Sequence, residues 1–175
     1  MKPTSPPDGS LGLVALGSNL GDSPALIQVA MARLEALAGG PIRRSSLWIS
    51  TPIDCPPGSP LFTNATIAFP LPPEVSPEDW LRATQTLERE LGRVQKTVHN
   101  EARSIDLDLI AWGDEVRFSP TLTLPHPRAH QRRFVLQPLA ELVPDLVLPG
   151  QCRSVAELLA LCPPDPQFRR WGGNP

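Results

Sequence analysis

Cysteine is scarce in this chain. Cys55, Cys152 and Cys162 are odd in number and none stands in a Cys-x-x-Cys pair, which excludes both a disulfide framework and a structural zinc site. That usage fits a reducing cytoplasm. An excess of charge is missing too: 16 Lys plus Arg face 18 Asp plus Glu, a net charge of -2, so no global basic field draws the chain to nucleic acid. No apolar run approaches the roughly 18 residues of a membrane span. Residues 1–10 lack the apolar core of a signal peptide. The expectation is a cytoplasmic monomer with no membrane or nucleic-acid partner, and 175 residues suffice for one domain with one good core.

Proline, by contrast, is abundant. The 23 prolines cluster at Pro3 to Pro7, Pro52 to Pro60, Pro70 to Pro77 and Pro163 to Pro175, and mark loops and loose ends. They divide the chain into a flexible tail at 1–10, a single domain at 11–162 and a mobile Pro-rich tail at 163–175.

The most informative stretch runs from Arg93 to Trp112. From Ile105 onward apolar and acidic residues alternate, the period of a strand with one buried face. Residues two apart in a strand share a side, so Asp106 and Asp108 lie on one face, about 6 to 7 Å apart, and Ile105, Leu107 and Leu109 on the other. Such a pair is either two solvated acids or a site for a hard divalent cation, and Mg²⁺ commonly takes one or two carboxylates and fills its shell with water and phosphate oxygens. Asp is depleted in strands, and Arg93, Lys96 and Arg103 crowd the approach as a polyphosphate bound through Mg²⁺ requires.

Leu11 to Leu16 reads as a buried first strand, followed by the turn Gly17 to Asp22. A helix then starts at Ser23 as cap, with Leu26, Val29, Ala30, Leu34 and Leu37 as its apolar stripe, and stops at Gly39-Gly40-Pro41. The turn is either a phosphate cradle at a helix start or a plain tight turn, and it matches neither Gly-x-Gly-x-x-Gly nor Gly-Lys-Ser/Thr. Ile42 to Ser50 forms a second strand, Thr51 to Pro60 a loop, and Leu61 to Phe69 a third strand with Leu61, Ala65, Ile67 and Phe69 on one side. Phe62 and Asn64 share the opposite side, either as packing and turn or as a stacking surface and amide for a flat heteroaromatic ring. Ser76, Pro77, Glu78 and Asp79 open a second helix to Leu91, striped by Trp80, Thr84 and Leu87. Gln85 and Glu88 flank that stripe, facing either solvent or a site. Residues 93–104 form a long loop of the kind that serves as a lid. Pro125 and Pro127 hold His126 as a ligand contact or in a surface turn. Further helices cover Gln131 to Leu142, with Phe134, Val135, Leu139 and Leu142 inward, and Ser154 to Leu161.

Taken in order, Gly17-Ser18-Asn19-Leu20-Gly21, Thr51-Pro52, Phe62-Thr63-Asn64-Ala65, Glu88-x-x-x-Gly92-Arg93, Arg103-Ser104-Ile105-Asp106-Leu107-Asp108-Leu109 and Pro125-His126-Pro127-Arg128 with Arg132, Phe134 and Pro138 resemble 6-hydroxymethyl-7,8-dihydropterin pyrophosphokinases over residues 11–149. The resemblance implies a ferredoxin-like α+β sandwich, a mixed or antiparallel sheet with helices packed on it. It further implies ATP as co-substrate, two Mg²⁺ ions and transfer of diphosphate to a dihydropterin. Asp106 and Asp108 would hold the metals, and Arg93, Arg103 and His126 would join them in catalysis. Gln85, Glu88, Arg93, Lys96, Arg103, Leu109, Thr123, His126 and Arg132 would bind ATP. Thr51, Pro52, Ile53, Asp54, Phe62, Asn64, Asp106 and Phe134 would bind the pterin. Two departures stand out: Asn100-Glu101-Ala102 replaces a common Trp-Gly-Pro, and Pro52-Ile53-Asp54 lacks the glycine of a usual Pro-x-Gly. Rival readings are a nucleotidyltransferase with a Gly-Ser turn and Asp-x-Asp, and a ligand-binding or assembly domain of the same fold without chemistry.

Overall fold

The computed structural model describes residues 10–92 and 104–172. β1 (Leu11–Ser18) is apolar on both faces and almost wholly buried, the pattern of a strand covered on both sides. It pairs antiparallel with β4 (Phe62–Pro70) on one edge and β5 (Asp106–Trp112) on the other. β3 (Trp48–Ser50) and β2 (Arg43–Arg44) both pair with β4, giving the order β5-β1-β4-β3 with β2 beside β3. α1 (Ser23–Ala38) and α2 (Pro77–Glu90) are the two crossovers. This β-α-β-β-α-β order in an antiparallel sheet is the expected ferredoxin-like sandwich. A separate hairpin of β6 (Arg117–Phe118) and β7 (Thr123–Leu124) follows, then a 3-10 turn at Ala129–Gln131, α3 (Arg133–Leu142) and α4 (Val155–Leu161).

Strand alternation gives the sheet two cores. Val14, Leu16, Ala65, Ile67, Phe69, Leu107 and Leu109 pack under α1 and α2, while Leu11, Leu13, Ala15 and Ala68 pack against α3 and α4. The alternation of β5 is broken once: Leu13 faces Ala111 and Val14 faces Leu109, so Ile110 has no opposite residue on β1. That bulge changes the phase, and Trp112, which strict alternation would put beside the aspartates, joins Phe69 and Trp80 in the first core instead.

Several boundaries differ from expectation. The cap of α1 is Asp22, whose carboxylate accepts from the Ala25 N–H, and Ser23 is the first helical residue. Its buried face is Ile27, Ala30, Met31 and Leu34, with Val29 and Leu37 exposed; the helix carries apolar residues on several faces, so periodicity left two stripes open and the sheet selected one. The strand expected over Ile42 to Ser50 is split, because the Ser45 hydroxyl accepts from the Thr66 N–H at 2.9 Å in place of a backbone carbonyl. Arg132 is extended, with φ -108 and ψ 109, which separates the 3-10 turn from α3 where one helix was expected. The largest correction concerns 163–172, expected to be a loose tail. β8 (Arg169–Arg170) pairs with β3 and closes that edge of the sheet.

Gly12 packs beneath the Phe69 ring, and a Cβ there would stand 2.4 Å from Phe69 Cζ. Phe69 is itself stacked on Trp80 at 4.4 Å and set edge-on to Trp112 at 6.0 Å, so the ring has little room to retreat. Gly12→Ala is expected to lower stability by about 1 to 3 kcal/mol through overpacking, measured as the shift in denaturant midpoint at unchanged m-value.

Candidate functional site

A cavity of about 350 Å³ opens on the α3 side of the sheet, at the end where β1 runs out. Its floor is made of small residues. Ala15 stands opposite Asp108 and Gly17 opposite Asp106 on β5, while Gly17 faces Asn64 on β4. Period two therefore delivers Asp106, Asp108, Phe62 and Asn64 to one face with almost no side chain between them. A Cβ on Gly17 would come 3.6 Å from Asn64 Oδ1 and 3.8 Å from Phe62 Cδ1, into space the glycine leaves open.

One end of the cavity is acidic and basic in turn. Asp106 and Asp108 are half-buried on β5. Between them the Leu107 N–H donates to Glu88 Oε1 at 2.7 Å, and Glu88 is 95 % buried in consequence of reaching inward from α2. Gln85, one turn earlier, is exposed at the rim, so both flanking residues of α2 face the cavity rather than open solvent alone. Opposite stand His126, Arg128 and Arg132. The bulge at Ile110 also serves this wall, since the Ile110 carbonyl accepts from the His126 N–H at 2.8 Å. His126 Nδ1 accepts from the Arg128 N–H at 3.2 Å, which places the proton of the neutral ring on Nε2. Burial, then the charges of Arg132 and Arg128, push the His126 pKa down from 6.5 to about 4. Arg132 is likewise lowered by burial and by Arg128, opposed by Asp108, Asp106 and Asp54.

The other end is aromatic. Phe62 and Phe134 both line the cavity, and the Arg132 guanidinium lies 5.4 Å from the centre of the Phe134 ring. Asn64 is buried, and its Nδ2 donates to Ser50 Oγ at 2.8 Å and to the Trp48 carbonyl at 3.4 Å, leaving Oδ1 beside Gly17. Thr51, Ile53 and Cys55 form the lip. Asp54 adopts φ 55, the left-handed region in which Asp is tolerated better than most residues.

Other expected residues lie elsewhere. Leu109 is 5 % exposed in the core beneath α1 and α2, because the alternation that aims the aspartates outward aims it inward. Thr123 is half-buried on β7, and neither it nor Pro52 forms part of the cavity wall. Arg93, Lys96, Arg103 and the substituted stretch Asn100 to Ala102 lie outside the described residues. In the stretch Gly17 to Asp22, of which Gly17 and Ser18 end β1, Ser18 Oγ bonds Ser23 Oγ at 2.7 Å and Asn19 Nδ2 donates to the Pro60 carbonyl at 3.3 Å, and Gly17 alone of these residues lines the cavity. Ala15, Gly17, Ser50 and Arg128 are site residues that the sequence reading did not assign. The parity of β1 was the available signal for the first two.

A single cavity thus joins paired carboxylates facing cations to a cleft with two aromatic walls and an amide. The sequence matches the family model described as 7,8-dihydro-6-hydroxymethylpterin-pyrophosphokinase (HPPK) over residues 13–144. The chain belongs to the HPPK family. A Pseudomonas aeruginosa 2-amino-4-hydroxy-6-hydroxymethyldihydropteridine pyrophosphokinase is 41% identical over 151 residues, covering 86% of this chain and 90% of the relative. A Synechocystis protein of the same name is 34% identical over 163 residues, 91% of this chain and 82% of that one. Among solved structures, Plasmodium falciparum HPPK-DHPS with pteroate is similar with a TM-score of 0.67 at 14% identity. It shares the fold over 86% of this chain, which spans 42% of that longer protein. Among the described residues no helix is long and apolar enough to cross a membrane.

The depressed pKa of His126 sets a pH dependence in the absence of ligand. The folded state holds His126 neutral, so the unfolded state binds more protons between about pH 6.5 and 4. Stability contributed by the neutral ring is therefore complete above pH 6.5 and is lost as pH falls through that window. NMR titration of the ring protons is expected to give a midpoint near 4 for His126, and His126→Asn is expected to flatten this part of the stability profile.

Proposed function

We propose that this HPPK-family chain transfers the β,γ-diphosphate of ATP to the hydroxymethyl oxygen of 6-hydroxymethyl-7,8-dihydropterin, releasing AMP, as a step of folate biosynthesis. The observation that carries the reading is the two-ended cavity, with carboxylates and cations at one end, aromatic rings and an amide at the other, and Gly17 between.

Asp106 and Asp108 offer hard oxygen donors, half-buried and open to the cavity, and no third His, Cys, Asp or Glu closes the set among the described residues. That donor set suits Mg²⁺, which keeps several positions for water and phosphate. Two Mg²⁺ ions held there would neutralise phosphate charge and align the diphosphate. Arg132 and Arg128 add fixed positive charge on the facing wall. His126, neutral at pH 7, donates from Nε2 to a phosphate oxygen without spending charge on its own desolvation. Gln85 serves the nucleotide at the rim, and Arg93, Lys96 and Arg103 are assigned to the phosphates through the family's sequence pattern. Glu88 acts one step back, holding the Leu107 backbone and with it the spacing of the two aspartates.

Phe62 and Phe134 sandwich the pterin ring, and Asn64 Oδ1 accepts from an N–H on its edge, with Thr51 and Ile53 at the lip completing the contact. The hydroxymethyl oxygen attacks Pβ, the bond between Pβ and the α,β-bridging oxygen breaks, and AMP leaves with that oxygen. No enzyme nucleophile is required, so catalysis rests on positioning and charge neutralisation.

Product analysis by ³¹P NMR with ATP, Mg²⁺ and the dihydropterin is expected to give AMP and a pterin diphosphate in equal amounts. ADP as principal product would mean simple phosphoryl transfer, pyrophosphate would mean attack at Pα, and either would overturn the reading. Asp108→Ala is expected to reduce turnover by several orders of magnitude with the circular dichroism spectrum unchanged, since the core face of β5 is untouched. Asn64→Ala is expected to weaken pterin binding about tenfold, the cost of an amide edge left unpaired, with ATP affinity retained in calorimetry.

A further inference from the structure

Segment 163–172 is fastened to the same end of the sheet that carries the aromatic half of the cavity. Arg133 of α3 donates to the Pro163 carbonyl from Nε at 3.1 Å and to the Cys162 carbonyl from Nη2 at 2.9 Å, holding the start of the segment. Farther along, the Phe168 ring stacks on Trp48 at 5.2 Å, Arg169 and Arg170 pair with Ile49 and Trp48, and the Trp171 N–H donates to the Leu47 carbonyl at 2.8 Å. Between these anchors lies Asp165. Its Oδ1 accepts from the Gln167 N–H at 3.0 Å, which sets the carboxylate, and its Oδ2 accepts from the Thr51 N–H at 3.0 Å.

Thr51 is the residue at which β3 gives way to the lip of the cavity. Its neighbour Ser50 is buried and accepts the amide hydrogen bond of Asn64, so the peptide that Asp165 grips continues directly into the support of the Asn64 side chain. A three-residue strand is a weak anchor for a lip rich in proline, and the hydrogen bonds of its outer edge come from this segment. The Thr51 and Gln167 amides also hold the Asp165 carboxyl below the usual carboxylate range against the opposing effect of burial, the sign of hydrogen bonding to the charged form.

We infer that Asp165 is a positioning residue for the ring-binding end of the cavity, fixing the Thr51 backbone so that the lip and Asn64 meet a planar heterocycle in one arrangement. The inference rests on the proposed function for the identity of that heterocycle. It assigns a role in binding to a part of the chain that does not line the cavity.

The test uses the full chain and its Asp165→Ala and Asp165→Asn variants, with 6-hydroxymethylpterin and the Mg²⁺ complex of a non-hydrolysable ATP analogue as probes. Asp165→Ala is expected to raise the pterin Kd about tenfold and to speed hydrogen exchange at the Thr51 amide selectively over amides of β1. The Kd of the nucleotide is expected to stay within about twofold. Asp165→Asn keeps one of the two acceptors and, with its carbonyl turned to the Thr51 N–H, is expected to lose less affinity than Asp165→Ala. A pterin Kd unchanged in Asp165→Ala, or equal loss of both ligands with a lowered Tm, overturns the inference and leaves the function standing. Failure of the unaltered chain to bind the pterin overturns both.

Discussion

β1 is hydrogen-bonded along its length to β4 on one side and to β5 on the other, and the site inherits its geometry from those two registers. Opposite residues in an antiparallel pair are about 4.5 to 5.5 Å apart, so the contents of Gly17's neighbours on either side, Asp106 and Asn64, are settled to within a side chain's length. A slip of one residue on β5 would turn both aspartates into the core under α1 and α2 and bring Ile105, Leu107 and Leu109 to the cavity. The burial of those three residues is what prevents it. The bulge at Ile110 then allows the same strand to satisfy two demands, acids outward at its start and Trp112 inward at its end, and its free carbonyl places His126 over the acids.

Charge in the cavity is arranged as facing walls of acids and guanidinium groups. Arg128 and Arg132 line the cavity with Asp106 and Asp108, and the charge of Arg132 is favoured by both aspartates. Burial works against the charged forms of Arg132 and His126, and the group that yields is the one with the smallest cost of yielding, His126. A neutral imidazole between two guanidinium groups keeps a hydrogen-bond donor in place while avoiding a third adjacent positive charge.

Two further carboxylates act on the backbone. Glu88 takes the Leu107 N–H between the aspartates, and Asp165 takes the Thr51 N–H at the lip. One acts at the acidic end of the cavity through edge strand β5, the other at the aromatic end through the three-residue β3. Both acids come from elements remote in sequence from what they hold.

The sequence by itself determined the alternations: the strand that shows Asp106 and Asp108 outward, the strand that sorts Phe62 and Asn64 from Ala65, Ile67 and Phe69, and the capped start of α2 at Ser76. These depend on local periodicity and local hydrogen bonds, which neighbours in the chain are enough to specify. The order of short motifs also sufficed to indicate the family. Tertiary structure decided what depended on partners distant in sequence. It chose Ile27 and Met31 over Val29 and Leu37 as the buried face of α1, because several apolar faces were available and only the sheet could choose. It set the Leu109 side chain in the core beneath α1 and α2. It made Gly17 a floor rather than a turn residue, since that role exists only once Asp106 and Asn64 stand on either side. It also drew 163–172, whose prolines and charges give no strand period, into the sheet through the exposed edge of β3, an edge that becomes available for pairing only after the rest of the sheet has formed.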